Sequence, residues 1–337
     1  DLIVSTGTGS GKTESFLHPV LNTLYGEASK KSQQFKRRAV RTLILYPMNA
    51  LVSDQMTRLR RLYGDERVKK IFKDAANRNV QFGMYTSRTP YAGEQSATKD
   101  RYQLNDILSY YTKLEETMPV KVEQMKERGK WPAKDLQAFM NSKKNNRDCY
   151  HGLPSDAELF TRHEMQDTPP DILVTNYSML EYMLMRPIER SIWEKTKEWL
   201  AESEENHFIL ILDEAHMYRG TGGAEVALLI RRLQSRLGIE RDRMKCILTS
   251  ASLGKEDDLE SPVTFAEQLT GKPDKRHFVL IKGTKETRLP ARTAMLEEVQ
   301  TLANIDSKSF INYRTNYEDS IIEMNSFFKS MDWPTPP

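Results

Sequence analysis

A glycine-rich turn between an apolar run and an amphipathic segment constrains the fold of this chain more than any other feature. The chain opens with LIVSTGTGSGKTESFL (2–17), and apolar residues then recur at helical spacing from about Lys12 to Leu24. A strand, a glycine-rich loop and a helix in this order form a phosphate-binding loop, in which backbone N–H groups face the phosphates and Lys12 neutralises their charge. Thr6 stands where the pattern usually has glycine, which alters only the entry to the loop. The sequence predicts nucleotide binding by Thr6, Gly7, Thr8, Gly9, Ser10, Gly11, Lys12 and Thr13.

A second apolar run ends in acidic residues, as a nucleotide site requires. ILILDEAH (209–216) predicts a buried strand that ends at a pair of carboxylates. Asp213 and the hydroxyl of Thr13 are the expected ligands of Mg²⁺. Glu214 is expected to orient and deprotonate the water that attacks the terminal phosphate of ATP, and His216 to link the nucleotide site to a moving element. The sequence therefore predicts an ATP hydrolase with ATP and Mg²⁺ as cofactors and with Lys12, Asp213, Glu214 and His216 as catalytic residues.

Short apolar runs alternate with helical segments over most of the chain. Strands separated by helices predict an α/β fold with a mostly parallel, doubly wound sheet, in which ligands bind at the C-terminal ends of the strands. No buried strand is expected between about 90 and 168, where apolar spacing predicts helices and hence a helical insertion. Residues 1–290 are predicted to form one ATP-binding domain, and 291–337 a helical C-terminal tail or linker. The predicted strands are 2–7, 40–47, 79–86, 170–177, 206–216, 244–252 and 276–286.

Composition narrows the classes of protein. The 337 residues include 50 Lys and Arg against 47 Asp and Glu, a formal net charge of +3, so any nucleic-acid binding must be argued from local motifs. No run approaches the roughly 20 apolar residues that cross a bilayer, so no membrane partner is expected and the predicted location is cytoplasmic. Cys149 and Cys246 have no ligands at metal-binding spacing, so a zinc or iron–sulfur site is not expected.

The motifs occur in the order found in superfamily 2 DEAD/DEAH-box helicases, which the chain resembles. TGTGSGKT is similar to motif I, DEAH to motif II and TSAS (249–252) to motif III, while YPMNALVSDQ (46–55) and VTNYSML (174–180) resemble motifs Ia and Ib. The resemblance implies the first of two RecA-like motor domains. It also implies that the hydroxyls of Ser250 and Ser252 couple the nucleotide to nucleic acid.

The same resemblance implies contacts with the backbone of one nucleic-acid strand. The implied contact residues are Pro47, Asn49, Arg88, Thr175 and Asn176. A short polar side chain or a free N–H at the end of a strand can bind a phosphate oxygen. Another interpretation is open for two of them, since Asn176 can cap the helix that follows and Pro47 can simply end its strand.

Longer segments resemble a subgroup of these helicases. GMYTSRTPYAG (83–93), TRHEMQDTPPDILVTNYSMLEYML (161–184) and DEAHMYRGTGGAEVALLIRRL (213–233) are similar to large bacterial MrfA-type repair helicases and to their phage-defence relatives in the Druantia and DISARM systems. This implies an ATP-dependent helicase or translocase that acts on DNA, with single-stranded DNA and defence-system proteins as partners. An RNA helicase, or a nucleotide-gated binding scaffold without turnover, is the alternative. Arg231, Arg232 and Arg236 either contact nucleic acid or form a solvated basic face.

The position of the phosphate loop leads to one more expectation. The loop begins within a few residues of Asp1, and no second α/β series follows residue 290. The resemblance then implies that a second RecA-like domain, with an arginine that completes the site, lies outside this sequence. The chain alone is therefore expected to bind ATP·Mg²⁺ and to hydrolyse ATP slowly.

Overall fold

The computed structural model describes residues 1–7, 11–90, 93, 97–142, 152–251, 260–272, 278–283, 296–303 and 317–330. The chain divides into two units, Asp1–Thr284 and Lys285–Pro337. Each unit is described by itself below.

Eight strands form one sheet in the described part of the first unit. All the pairings between strands are parallel, and the strand order is β4-β3-β5-β2-β6-β7-β1-β8. Parallel strands and helices on both faces confirm the predicted α/β, doubly wound sheet, and all seven predicted strands are present. The strands are β1 Leu2–Ser5, β2 Thr42–Tyr46, β3 Phe82–Tyr85, β4 Glu158–Leu159, β5 Ile172–Asn176, β6 Phe208–Leu212, β7 Met244–Ser250 and β8 Val279–Lys282.

One strand was not expected. β4 lies within the segment that the sequence pattern predicts to be free of buried strands, and it pairs with β3 and so forms the edge of the sheet. Two residues are too few to produce a periodic pattern. The pairing depends on a distant contact, because the guanidinium of Arg60 donates hydrogen bonds of 2.8 and 2.7 Å to the two carboxylate oxygens of Glu158. The prediction of no strand in this region is therefore wrong.

The two faces of the sheet carry separate cores, as strand alternation requires. On β6, Ile209 and Ile211 point toward one core, and Phe208 and Leu210 toward the other. The first core contains residues of α1–α4, and the second contains residues of α8–α12. The helices of the first unit are α1 Lys12–Lys30, α2 Ser32–Lys36, α3 Asn49–Tyr63, α4 Glu66–Ala76, α5 Ala97–Thr117, α6 Pro119–Glu127, α7 Leu136–Ser142, α8 Arg162–Asp167, α9 Tyr177–Met185, α10 Arg190–Ala201, α11 Gly220–Leu237 and α12 Glu260–Thr270.

The helix after the phosphate loop sets the position of the site. Its buried stripe, Phe16, Val20, Leu24 and Ala28, repeats every four residues and packs on the sheet. Ala28 continues this stripe, so α1 extends to Lys30 and not only to the expected Leu24. The helix α3 has the predicted bounds, Asn49–Tyr63.

Helices α5, α6 and α7 form the predicted helical part of the insertion. They share a small core of their own, with Leu108, Val122, Trp131, Leu136 and Phe139 buried. The segment before α7 is attached to the rest of the unit by buried charges. The ammonium group of Lys134 lies 2.6 Å from Asp156 and 2.8 Å from Glu164, and all three side chains are inaccessible to solvent.

The second unit contains α13 Leu296–Ala303 and α14 Tyr317–Ser330 among its described residues. The helix predicted over 321–331 therefore exists, although it begins earlier. Across the described segments, every helix is either too short or too polar to cross a membrane. Cys246 is buried, whereas Cys149 lies outside the described residues.

Candidate functional site

The end of the phosphate loop and the acidic motif meet at one edge of the sheet. Gly11 has φ +83°, a conformation that glycine adopts without strain, and α1 begins directly after it. This turn places the ammonium group of Lys12 3.4 Å from the carboxylate of Glu214. Thr6 N–H donates to the carbonyl of Ser250 at 3.1 Å, so the strand leading into the loop is held against β7. Thr8, Gly9 and Ser10 lie outside the described residues.

Asp213 is fixed by a row of neighbouring strands. Its N–H donates to the carbonyl of Leu45 at 3.2 Å and so continues the β2–β6 ladder by one residue. Its carboxylate oxygen Oδ1 accepts hydrogen bonds from the hydroxyl of Thr249 and, at 3.0 Å, from the N–H of Glu214. Burial raises the pKa of Asp213, and these two donors oppose that effect. These contacts hold the carboxylate of Asp213 in place at the end of β6.

The other predicted metal ligand, Thr13, lies on α1. Its side chain is buried, and its hydroxyl accepts a hydrogen bond of 3.3 Å from the side-chain amide of Gln55 on α3. Gln55 belongs to the segment that resembles motif Ia, and its contact with Thr13 was not predicted from the sequence. Its position on the helix could have identified it, because Gln55 lies on the buried face of α3 together with Val52, Met56 and Leu59.

Tyr46 is a second residue that sequence reasoning missed. It ends β2, opposite Asp213, and its side chain is completely buried. Burial, together with the charge of Asp213, raises the pKa of Tyr46 well above 10, so the phenol stays protonated. Its hydroxyl lies close to the carboxylate of Asp213 but makes no hydrogen bond of ordinary length and angle within the described part of the chain. A polar atom that ends an otherwise apolar strand, LILY, was the signal that could have identified it.

Glu214 adopts an unusual backbone conformation. Its φ of 49° and ψ of 45° are in the left-handed region, which residues other than glycine adopt at a cost of about 1–3 kcal/mol. This turn directs the carboxylate of Glu214 toward Lys12 on one side and His216 on the other. The Nδ1 atom of His216 lies 3.3 Å from Oε2 of Glu214. Lys12 and His216, both predicted catalytic residues, thus contact the same carboxylate, that of Glu214.

His216 also contacts the predicted coupling motif. Its Nδ1 lies 3.1 Å from the hydroxyl of Ser250 at the end of β7. The chain of contacts from Lys12 through Glu214 and His216 to Ser250 is therefore continuous. Ser252 lies outside the described residues.

The predicted strand-binding residues lie at the ends of β2, β3 and β5. The side-chain amide of Asn176 donates to Asn49 Oδ1 at 2.5 Å, and that of Asn49 lies 3.4 Å from the hydroxyl of Ser87. Asn176 also caps α9, because its Oδ1 accepts from the N–H of Met179 at 2.8 Å. The alternative interpretation of Asn176 as a helix cap is therefore confirmed, and its contact with nucleic acid stays a prediction.

The other three predicted contact residues differ in accessibility. Arg88 is exposed and follows Ser87, and Pro47 is partly exposed after β2. Thr175 is fully buried, and its hydroxyl donates to the carbonyl of Tyr85 at 2.6 Å. Ser87 and Arg88 are thus exposed at this edge and Asn49 is half-buried, whereas Asn176 and Thr175 are buried.

The arginines of α11 make contacts within the protein. Arg231 donates to the carbonyls of Ala227 and Gln268, at 2.6 and 3.1 Å, and so joins α11 to α12. Arg232 lies 3.6 Å from Glu181 of α9 on the surface. Arg236 is partly exposed.

Residues 1–90 match the DEAD/DEAH box helicase family. Over its whole length the chain is 46% identical to Druantia protein DruE of Escherichia coli (strain UMEA 4076-1), of which it spans 19%. An uncharacterized ATP-dependent helicase of Methanocaldococcus jannaschii is 24% identical over 52% of this chain and 22% of its own length. Among solved structures, the DUF1998 helicase MrfA aligns with a TM-score of 0.44 and 18% identity, over 98% of this chain and 36% of that protein. Residues 1–90 are therefore similar to the DEAD/DEAH box helicase family, and the whole chain is similar to a segment of the Druantia protein.

Proposed function

We propose that this chain is the ATP-binding motor domain of a helicase or translocase that acts on DNA, in phage defence or DNA repair. The observation that supports it most is the contact of Lys12, directly after the phosphate loop, with Glu214, directly after Asp213, at one edge of the sheet. The 46% sequence identity to a Druantia protein supports a role in phage defence. The activity of the longer protein is part of this proposal, since the chain spans about a fifth of that relative.

The residues present fit a nucleotide with magnesium. Mg²⁺ prefers oxygen ligands, and the buried hydroxyl of Thr13 and the carboxylate of Asp213 would supply them beside the loop. When bound, the metal neutralises charge on the phosphate oxygens. The positive end of α1 and Lys12 add to this on the protein side. Lys12 would then exchange its contact with Glu214 for the phosphates.

Release from Lys12 gives Glu214 its proposed catalytic role. Its carboxylate is held at the turn after Asp213 and can orient and deprotonate the attacking water. His216, in contact with both Glu214 and Ser250, is placed to report the state of the nucleotide to β7 and the loop that follows. An arginine from a second RecA-like domain would complete the site and accelerate hydrolysis.

The strand-end residues form the proposed nucleic-acid surface. Asn49 and Asn176 are fixed to each other, and the exposed Arg88 adds a cation near them. Contacts of this kind go to the phosphate backbone and do not read the 2′-hydroxyl. The proposed preference for DNA over RNA therefore depends on the resemblance to the MrfA-type and phage-defence helicases, and the experiment below measures it.

The test compares ATP hydrolysis by the longer protein with and without single-stranded oligonucleotides of DNA and of RNA. We expect DNA to raise the rate, Glu214→Gln to lower it by about 10²- to 10⁴-fold, and Lys12→Ala to abolish it. Lys30→Ala, an exposed lysine at the far end of the same helix, is the matched control and should retain the wild-type rate. Stimulation by RNA alone would refute the DNA assignment. Tight ATP binding with no hydrolysis under any of these conditions would favour a binding scaffold.

A further inference from the structure

Three adjacent strands end in side chains that point to the same side of the sheet. In the registers of β2, β6 and β7, Leu45 pairs with Leu212 and Leu212 with Leu248, so the next residues, Tyr46, Asp213 and Thr249, form one row. Alternation along each strand places all three on the face that carries α1 and α3. Asp213 thus lies between the hydroxyls of Thr249 and Tyr46.

The two hydroxyls are used differently. Thr249 donates to Oδ1 of Asp213, which also accepts the N–H of Glu214. The hydroxyl of Tyr46 is completely buried close to the carboxylate of Asp213, but within the described residues it makes no hydrogen bond of ordinary length and angle. A buried hydroxyl without a partner is costly, so its presence beside the proposed metal ligand calls for an explanation. Phenylalanine would fill the same volume without this cost.

We infer that Tyr46 is a positioning residue for the metal site, in which its hydroxyl oxygen accepts a hydrogen bond from a water molecule bound to the magnesium at Asp213. This inference rests on the proposed function. Magnesium in proteins usually keeps several of its waters, and a metal-bound water is a strong donor. The buried phenol oxygen is an acceptor at the level of Asp213, on the side opposite Thr249, where such a water can be held. Partners of this kind, outside the direct ligands, orient the metal's shell.

The chain contains a matched control for the loss of this hydroxyl. Tyr63 on α3 is also buried, lies in the same core and likewise has a hydroxyl without a partner among the described residues. It packs against Phe82, the first residue of β3, whereas Tyr46 is the last residue of β2. Tyr63 is therefore at the opposite end of the sheet from Asp213. Removing either hydroxyl changes the core in the same way, but only Tyr46 is near the metal site.

The experiment measures binding of the ATP analogue AMPPNP to wild type, Tyr46→Phe and Tyr63→Phe by titration calorimetry, with Mg²⁺ varied and with EDTA. We expect Tyr46→Phe to raise the Mg²⁺ concentration for half-maximal enhancement of binding by about tenfold. Binding in EDTA should stay at the wild-type level, and Tyr63→Phe should match wild type in both conditions. Electron paramagnetic resonance with Mn²⁺ gives a second reading of metal affinity, and the melting temperature verifies that the variants fold.

Each other outcome overturns the inference in an identifiable way. An unchanged Mg²⁺ requirement in Tyr46→Phe, an equal change in Tyr63→Phe, or an equal loss of binding in EDTA would each show that the Tyr46 hydroxyl does not serve the metal. If the wild-type chain binds AMPPNP no better with Mg²⁺ than with EDTA, the proposed function fails, and the inference fails with it.

Discussion

Replacing Lys134 by methionine should weaken the attachment of the segment before α7 to the region of β4 and α8. The Lys134 side chain is inaccessible to solvent and lies between two equally buried carboxylates, Asp156 at 2.6 Å and Glu164 at 2.8 Å. Burial alone would lower the pKa of Lys134, but the attraction of Glu164 and Asp156 outweighs it and raises the pKa. Methionine fills a similar volume but leaves two buried carboxylates without a cation. Breaking a buried ion pair by removing one partner costs about 3–5 kcal/mol of unfolding free energy.

The control is a lysine of the same insertion at the surface. Lys126 lies 2.7 Å from Glu123, one turn away on α6, and both side chains are well exposed. Such exposed helical pairs contribute only about 0.3–0.5 kcal/mol. Urea denaturation of Lys134→Met and Lys126→Met measures the loss of unfolding free energy in each variant. Hydrogen exchange of residues 119–142 shows where in the chain the stability is lost. A loss below about 1 kcal/mol for Lys134→Met, or one equal to that of Lys126→Met, would refute the reasoning.

Two further predictions follow from charges and strand ends. The buried carboxylate of Asp171 lies 2.7 Å from the guanidinium of Arg78 and 3.0 Å from that of Arg41. Burial alone would raise the pKa of Asp171, but the attraction of Arg78, and then that of Arg41, lowers it below its usual 3.8. The ionised carboxylate therefore stabilises the fold above about pH 3.8, and this contribution is lost as the pH falls through the lower folded value. Asp171→Asn should lower the unfolding free energy by about 3–5 kcal/mol at neutral pH, and this deficit should shrink as acid is added; a deficit independent of pH would contradict the assignment. Asn49→Ala should weaken the binding of a single-stranded DNA oligomer about fivefold, as measured by fluorescence anisotropy. Ser109→Ala, on the exposed face of α5, is the control and should leave this affinity unchanged. Equal affinities of the wild type and both variants would show that Asn49 is not part of the nucleic-acid surface.

Local signals predicted the elements that carry the site. The strands β1, β2, β5, β6 and β7 are short apolar runs buried on both faces, and such runs need no distant information to be recognised. The bounds of α3 follow from the proline before it and from its apolar spacing. The phosphate loop and the DEAH motif could be paired in advance because strands of a parallel sheet bring their C-terminal ends to one edge.

Contacts that depend on register could not be predicted in this way. Tyr46 and Thr249 come from strands separated from β6 by long stretches of sequence, and only the pairing shows that they flank Asp213. Thr175 looked like a surface residue at the end of a strand, but strand alternation turns its hydroxyl toward Tyr85. The short strand β4 depends on the contact of Glu158 with Arg60, which no local pattern contains.

The central claim is that Lys12, Thr13 and Asp213 form a site for ATP with magnesium. Equilibrium titration of this chain with Mg·AMPPNP tests it most directly, with Lys12→Ala as the site variant and Lys30→Ala as the control on the same helix. The account predicts saturable binding with one nucleotide per chain, which Lys12→Ala abolishes and Lys30→Ala retains. Absence of binding to the wild-type chain, or equal binding to Lys12→Ala, would contradict it.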